Sequence, residues 1–483
     1  MKTKRRTVCQ TCRTRRLGCD GMRPACSQCV FSGRECDGYQ LNLVFIQHTA
    51  AKRGKKRPHS CSTESDEQAI MKPPESCRNN RELSGKDISQ YQHAFPQDPF
   101  SSTTIEFTSV ITNSFLPQYM HDVSITDSSA ISVCASWVKV LPEIVSGHQI
   151  PSFLRSAIKF FALMIADAGP SCRSISYKSF EAYGTSLQQL KLAMLKSQSF
   201  SLELGAAILC LAISELTMGN SIEGFLSHAS GFSALIEFCP PEWFTFNTFH
   251  FIYVGCRPIL LFKAIMQRRS TFLAQEEWVT KPFEAYPPAA MQQFISEMAI
   301  LPAILEEIDA SKHLDQDEAI IKSQELDSNL QVVIDRLEIL KSRFADDILE
   351  RQVSNEGKSI FYADLLAANI LSHIRSFEII CLMERVQLKR RMSTENHESS
   401  CQPWPESVRS RIHMLATDVC RTLTYMLKDE MGLYGPVSAL FPLKIANSAL
   451  RQCGPTPVEV NERFQKLIAI LDRRGFPAEK HFS

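Results

Sequence analysis

From about Thr108 to the end of the chain, apolar residues recur at the spacing of an α-helix. In "SFEAYGTSLQQLKLAMLKSQ", Phe180, Tyr183, Leu187, Leu190 and Met194 fall three and four apart, which predicts one helix with a single apolar stripe. "SLELGAAILCLAISELTMGN" is apolar nearly all round, so it predicts a buried helix ending near Gly219 and Asn220. "YADLLAANILSHIRSFEIICLMERVQLKRRM" predicts a long helix, and its basic end suits the negative pole of the helix dipole. "LDSNLQVVIDRLEILKSRF" places Leu326, Leu330, Val333, Leu337, Leu340 and Phe344 alternately four and three apart. That run is under three heptads long, so it reads as a core helix rather than a dimer seam. Proline-bearing breaks at "CPPEW", "YPPAA" and "CQPWPE" divide the helices. No convincing series alternates with a period of two. The expectation is a large all-α body over residues 108–483, of roughly a dozen helices.

The chain before it lacks this pattern. Residues 41–51 hold one strand-like piece, "LNLVFIQ", with Leu41, Leu43 and Phe45 alternating. Residues 52–104 open with "KRGKKRP" and run through Ser, Glu, Gln, Pro and Asn with few aliphatics. Such a composition cannot bury enough apolar surface to fold, so residues 41–107 are expected to be a mostly disordered linker. Residues 1–40 form a third unit, defined by cysteines.

Composition sharpens this division. With 483 residues, 44% of them hydrophobic, there is enough material for a large buried core beside smaller units. The net charge of +1 hides an asymmetry. Residues 1–57 carry fourteen Lys/Arg against three Asp/Glu, a net of +11, and the rest carries 39 against 49. A basic head on an acidic body points to a polyanion partner, nucleic acid above all. "MKTKRRTV" is not expected to be a secretory signal, because a cysteine frame follows where an apolar stretch should stand. The longest apolar run, Leu204–Ile213, is half of the ~20 residues a membrane span needs, so no membrane partner is expected. Of the seventeen cysteines, six cluster at the start and eleven are scattered. Clustered cysteines read as metal ligands and scattered ones as small buried hydrophobes.

The cluster reads "CQTCRTRRLGCDGMRPACSQCVFSGREC". Cys9, Cys12 and Cys19 repeat as Cys26, Cys29 and Cys36, with an offset of 17. A Cys-x2-Cys turn supplies two thiolates to one side of a tetrahedral zinc ion. Six thiolates fill two such sites only if two of them bridge, which leaves a formal charge of −2 on the cluster. The surrounding Lys and Arg offset that charge and favour thiolate over thiol. With almost no aliphatic residues here, metal has to supply the folding energy. The alternatives are a disulfide framework, which needs an oxidising compartment, and a mononuclear site with spare cysteines. Two further basic runs flank the frame. "KTKRR" contains Arg5 and Arg6, and "KRGKKR" comprises Lys52, Arg53, Lys55, Lys56 and Arg57 around one glycine. Such runs serve as phosphate-binding arms or nuclear localisation signals. The first is assigned here to DNA contact and the second to nuclear import.

These residues resemble the fungal binuclear zinc cluster (six-cysteine) DNA-binding family. The likeness rests on the cysteine spacing, the basic run between Cys12 and Cys19, "CDG" at Cys19–Gly21, and Pro24 in the connecting loop. The resemblance implies two zinc ions bridged by Cys9 and Cys26. One ion would take Cys9, Cys12, Cys19 and Cys26, and the other Cys9, Cys26, Cys29 and Cys36. It also implies a short helix in the first half that enters the major groove and reads a triplet of the CGG type. Arg15 and Arg16 match the family's base-facing positions, and Arg13 matches a position nearer the phosphates. Arginine suits that task, because its planar fork bonds guanine O6 and N7 together. Gly18 departs from the family, which usually has Lys or Arg before the third cysteine.

The body resembles the all-helical regulatory domain of the second fungal-specific transcription factor type. The pieces are "FLSHASGFSALIEF", with His228, Gly231, Leu235 and Ile236, then "GCRPILLFKAIMQRRSTFLAQEEW", closing on Trp278, then "GPVSALFPLKIA" and "RRGFP". "CDGYQLNLVF" after the cluster fits the same subgroup. His228 reads as a buried structural histidine rather than a ligand. The chain has no HExxH, phosphate-loop, GxGxxG or GxSxG motif, so no enzyme is expected. The reading is a nuclear transcription regulator, with double-stranded DNA, transcriptional co-regulators and a second copy of the chain as candidate partners. The resemblance implies a pathway-specific regulator of a fungal metabolic or secondary-metabolite gene cluster. The rivals are a thiol-based zinc or redox sensor that reads no bases, and an enzyme in the body with the cluster as accessory.

Overall fold

The computed structural model describes residues 10–15 and single positions up to 36, residue 111, and residues 136–476 with short gaps. The 41–107 linker, with its strand-like piece, lies outside the described residues. Helix α1 (Gln10–Arg15) belongs to the head. The body starts with α2 (Ser136–Lys139), α3 (Leu141–Val145), α4 (Ser152–Asp167), α5 (Tyr177–Lys196), α6 (Leu202–Met218), α7 (Ile222–Glu237) and α8 (Asn247–Gln267). It continues with α9 (Glu276–Thr280), α10 (Ala290–Met298), α11 (Leu301–Ala310), α12 (Gln316–Arg343), α13 (Leu365–Met392), α14 (Glu406–Met426), α15 (Tyr434–Cys453) and α16 (Val458–Arg473). Twelve of these fifteen body helices have nine residues or more. Between α12 and α13 lies a two-residue antiparallel pair, β1 (Arg351–Gln352) and β2 (Ile360–Phe361), with Arg351 opposite Phe361.

Two helices form the centres of the body. Helix α6 is apolar on every side, and every residue from Leu204 to Met218 is buried. Helices α4 and α7 pack on it, and α5 packs on α4. Helix α13 is the second centre, flanked by α12, α14 and α15. Helix α8 joins the halves, touching α6 and α7 as well as α10 and α11. Both α8 and α13 are long and apolar enough to cross a membrane, but 72% and 83% of their most apolar windows are buried inside the body. The heptad residues Leu326 to Leu340 of α12 are buried, with Phe344 after them, and α12 packs against α13. The stripe is therefore a core seam.

Helix α5 departs from expectation in phase. Its buried face is Ser179, Ala182, Ser186 and Leu190, while Phe180 is 48% exposed. Small side chains set this contact, because they let helix axes approach closely. Tyr183 sits at the edge of that face, donates its hydroxyl to Glu215 on α6 and packs its ring on Phe160 at 5.1 Å. His228 is buried with its Nε2 3.5 Å from Glu215 Oε1, which is the structural role expected of it.

Pro258 lies inside α8. A proline has no N–H, so the carbonyl four residues back loses its helical donor. That carbonyl belongs to Val254, and Gln292 Nε2 donates to it at 3.1 Å. Gln292 also accepts from the fully buried Arg257 through its backbone and side-chain oxygens, at 3.0 and 2.9 Å. Arg257 Nη2 reaches Ser296 Oγ at 2.7 Å. At the end of α8, Arg268 takes a left-handed conformation (φ 50°). Its guanidinium binds Asp309 of α11 at 2.8 Å and both carboxylate oxygens of Glu384 on α13, at 2.6 and 3.1 Å. Charge-assisted, bidentate contacts of this kind offset the strained backbone. Gly435 marks a close approach near the start of α15. A Cβ there would lie 2.1 Å from the Met426 carbonyl oxygen, so no other residue fits without movement.

Candidate metal centre and nucleic-acid interface

The head has no aliphatic core among the described residues. Its interior is sulfur: Cys12 and Cys29 are 1% and 2% exposed, with Cys19 and Cys36 packed against them. The Sγ atoms of Cys12 and Cys29 lie 3.9 Å apart, far beyond a disulfide bond of ~2.05 Å. Among the described residues none of the four forms a disulfide. A sulfur-only donor set suits a thiophilic ion such as zinc and not an oxygen-seeking one.

The 17-residue repeat of the sequence is also a repeat of the backbone. Leu17 N–H donates to the Cys12 carbonyl at 2.9 Å, and Arg34 N–H donates to the Cys29 carbonyl at 3.0 Å. Each bond spans five residues and closes a helical turn that starts at a buried cysteine. In the second half Gly33, at φ 63°, supplies the left-handed residue this closure uses. In sequence, Arg16 stands 17 residues before Gly33.

Helix α1 thus has an inner and an outer side. Cys12 is turned in, while Thr14 and Arg15 are exposed. Arg13 lies within α1, and nothing is described of its side chain. The structure brings together four of the six expected ligands, Cys12, Cys19, Cys29 and Cys36. Cys9, Cys26, Arg5, Arg6, Arg16, Gly18 and the run Lys52–Arg57 lie outside the described residues. Among the described residues no three ligating side chains converge on one point. That follows from the ligand sets implied above, each of which includes both Cys9 and Cys26. Those sets assign Cys12 and Cys29 to different ions, and the structure places these two thiols in contact.

Cysteines of the body behave otherwise. Cys210, Cys256 and Cys381 are fully enclosed, and burial pushes their thiols up. Burial takes Cys453 up to about 11. They stay protonated and inert, as the scattered pattern suggests. Among the features sequence reasoning missed are Asn369 and His373 in the first third of α13, both buried. The available signal was weak, because Ser372, Arg375, Ser376 and Glu378 are buried polar residues of the same helix.

Comparison with known proteins covers the head. Residues 7–43 match the fungal Zn(2)-Cys(6) binuclear cluster domain, a domain that binds two zinc ions. The transcriptional regulatory protein moc3 of Schizosaccharomyces pombe (strain 972 / ATCC 24843) is 38% identical over 71 residues. That stretch is 14% of this chain and spans 13% of the relative's length. No solved structure matches the chain.

Proposed function

We infer that this chain, whose residues 7–43 form a fungal Zn(2)-Cys(6) binuclear cluster domain, is a transcription regulator that binds double-stranded DNA in the nucleus. The observation that carries this reading is the doubled cysteine frame, folded as a repeat, with three arginines between Cys12 and Cys19 against one between Cys29 and Cys36. The frame fits two zinc ions held by Cys9, Cys12, Cys19, Cys26, Cys29 and Cys36, with Cys9 and Cys26 shared. Zinc supplies the folding energy that so few apolar residues cannot.

The protein's own residues divide the recognition. Arg15, exposed on α1, and Arg16 after it read guanine edges of a CGG-like half-site. Arg13, Arg5 and Arg6 neutralise phosphates and fix register without reading sequence. The second half holds metal and faces away from DNA, since Glu35 between Gly33 and Cys36 would be repelled by phosphate. Lys52, Arg53, Lys55, Lys56 and Arg57 direct nuclear import. The helical body, akin to the second fungal-specific type, regulates activity and recruits co-regulators without enzymatic chemistry. A second copy of the chain pairs two half-sites, and the targets are genes of a fungal metabolic pathway.

Selection from random DNA with the full-length protein, beside zinc analysis, tests this. Two zinc ions per chain and a CGG-containing consensus are the expected result. Arg16→Ala should lower discrimination by about 1–3 kcal/mol at one base pair. Unchanged selectivity in that variant would remove Arg16 as a reader. Zinc-loaded protein that binds DNA without selectivity, yet responds to thiol oxidation, would favour the sensor reading instead.

A further inference from the structure

The helical body encloses a partly open apolar cavity of about 100 Å³ between α6, α7, α8, α13 and α15. Apolar cavities of ~150 Å³ stay dry and take up benzene-sized molecules. This one also carries polar groups, Ser438 and Lys444 on α15 and a buried cluster centred on α13. Asn369 and His373, one turn apart on α13, line it together with Tyr434, and their side chains are 4% and 1% exposed.

The hydrogen bonds fix the character of that polar spot. His373 Nδ1 is 2.7 Å from the Asn369 carbonyl oxygen. A carbonyl only accepts, so Nδ1 carries the proton. Burial drives the imidazole down to about 4, so the ring is neutral and Nε2 is a bare acceptor. Asn369 Nδ2 donates to the Tyr434 hydroxyl at 2.9 Å, which leaves Oδ1 as a second acceptor. Neither His373 Nε2 nor Asn369 Oδ1 has a hydrogen-bond partner among the described residues. Buried acceptors left unpaired cost free energy, and native proteins rarely leave two side by side.

The imidazole is also held rigidly. Its ring is nearly parallel to Phe262 and Phe441, with centroids 4.7 and 5.9 Å away, and those two rings stack at 4.5 Å. With Nδ1 turned back to its own helix, Nε2 lies on the outer edge of the ring. A preorganised acceptor in an apolar cavity selects a ligand by its donor.

We propose that this cavity binds a small aromatic compound bearing one hydroxyl group, with the ring against Phe262 and Leu440 and the O–H donated to His373 Nε2. The site belongs to the helical body alone and is independent of the DNA-binding reading. Lys444 also lines the cavity, but both inner groups accept, so the end of the cavity at His373 and Asn369 takes a hydrogen-bond donor rather than a carboxylate. A hydrocarbon of the same shape leaves both unpaired.

Phenol and its isostere toluene are the probes, titrated calorimetrically into the full-length protein. Phenol should saturate one site per chain. In His373→Phe, which keeps a ring in the stack, phenol affinity should fall about tenfold or more relative to toluene, the loss of one hydrogen bond to a buried acceptor. Selective nitrogen labelling of histidine gives a test that needs no variant. Phenol should shift the resonance of the buried neutral ring, and toluene should not. Absence of saturable phenol binding would overturn the proposal. So would phenol binding that leaves the His373 signal unmoved.

Discussion

Cys12 in the head and Cys210 in the body are equally inaccessible, at 1% and 0% exposed, but their neighbours differ. Cys12 packs on Cys29, Cys19 and Cys36. Cys210 sits in α6 between Leu209 and Leu211 and bonds nothing but its own helix. Sulfur packed on sulfur is a site that metal completes. Sulfur surrounded by aliphatic side chains is a small hydrophobe whose thiol burial pushes up. One residue type therefore does two jobs, and the surroundings rather than the burial decide which. The same contrast separates the energetics: the body is held by apolar burial, and the head lacks the material for it.

The comparison can be broken most decisively at the metal. Chelation, or Cys12→Ser, should abolish DNA binding and release zinc, while the helical circular dichroism and melting of the body stay within about 0.5 kcal/mol of the starting protein. A body that melts with the head would mean the two are not energetically separate. Phe377→Ala should do the reverse. Phe377 is fully buried on α13, so its truncation should cost about 3–5 kcal/mol in urea melts with two zinc ions still bound.

Acid should weaken both regions for different reasons. His373 titrates near 4 in the fold, below the ordinary histidine value of about 6.5. Its neutral form is the one the fold favours. The stability it contributes is whole above about pH 6.5 and declines as pH falls towards 4, by about 3 kcal/mol in all. His373→Phe should flatten that decline, as read by urea melts between pH 7 and 4.5, and leave acid release of zinc from the head unchanged. The smallest effect should come from Cys210→Ala. It should cost about 1 kcal/mol of body stability and nothing in zinc content or DNA affinity.

The sequence exposed the helices that bury a broad surface. The all-round apolar run became α6, and the heptad residues Leu326 to Leu340 became the seam of α12. It misled where small residues make the contact. In α5 the large Phe180 marked the stripe, while Ser179, Ala182 and Ser186 form the buried face. Hydrophobicity weighs size, and close helix packing rewards its absence. The roles of Pro258, Gln292 and Arg268 were hidden for another reason. The Val254 carbonyl that Pro258 leaves open, Gln292 and Arg268 each bond a partner more than thirty residues away, and local pattern carries no sign of such pairings. In the candidate site the cysteine frame was plain, because ligand spacing is local. The repeat of the backbone bond was not, since nothing in residue identity reports a five-residue turn closure.

The paired bonds from Leu17 to Cys12 and from Arg34 to Cys29 bear on how such a head can change over generations. In each half a main-chain bond closes the turn at one buried cysteine, so exposed side chains such as Thr14 and Arg15 are not needed to shape that turn. Substitution there can alter what the head recognises at little risk to its integrity. The frame is thus conservative in its skeleton and permissive in its coat, and new target preferences can arise by drift in a few exposed positions.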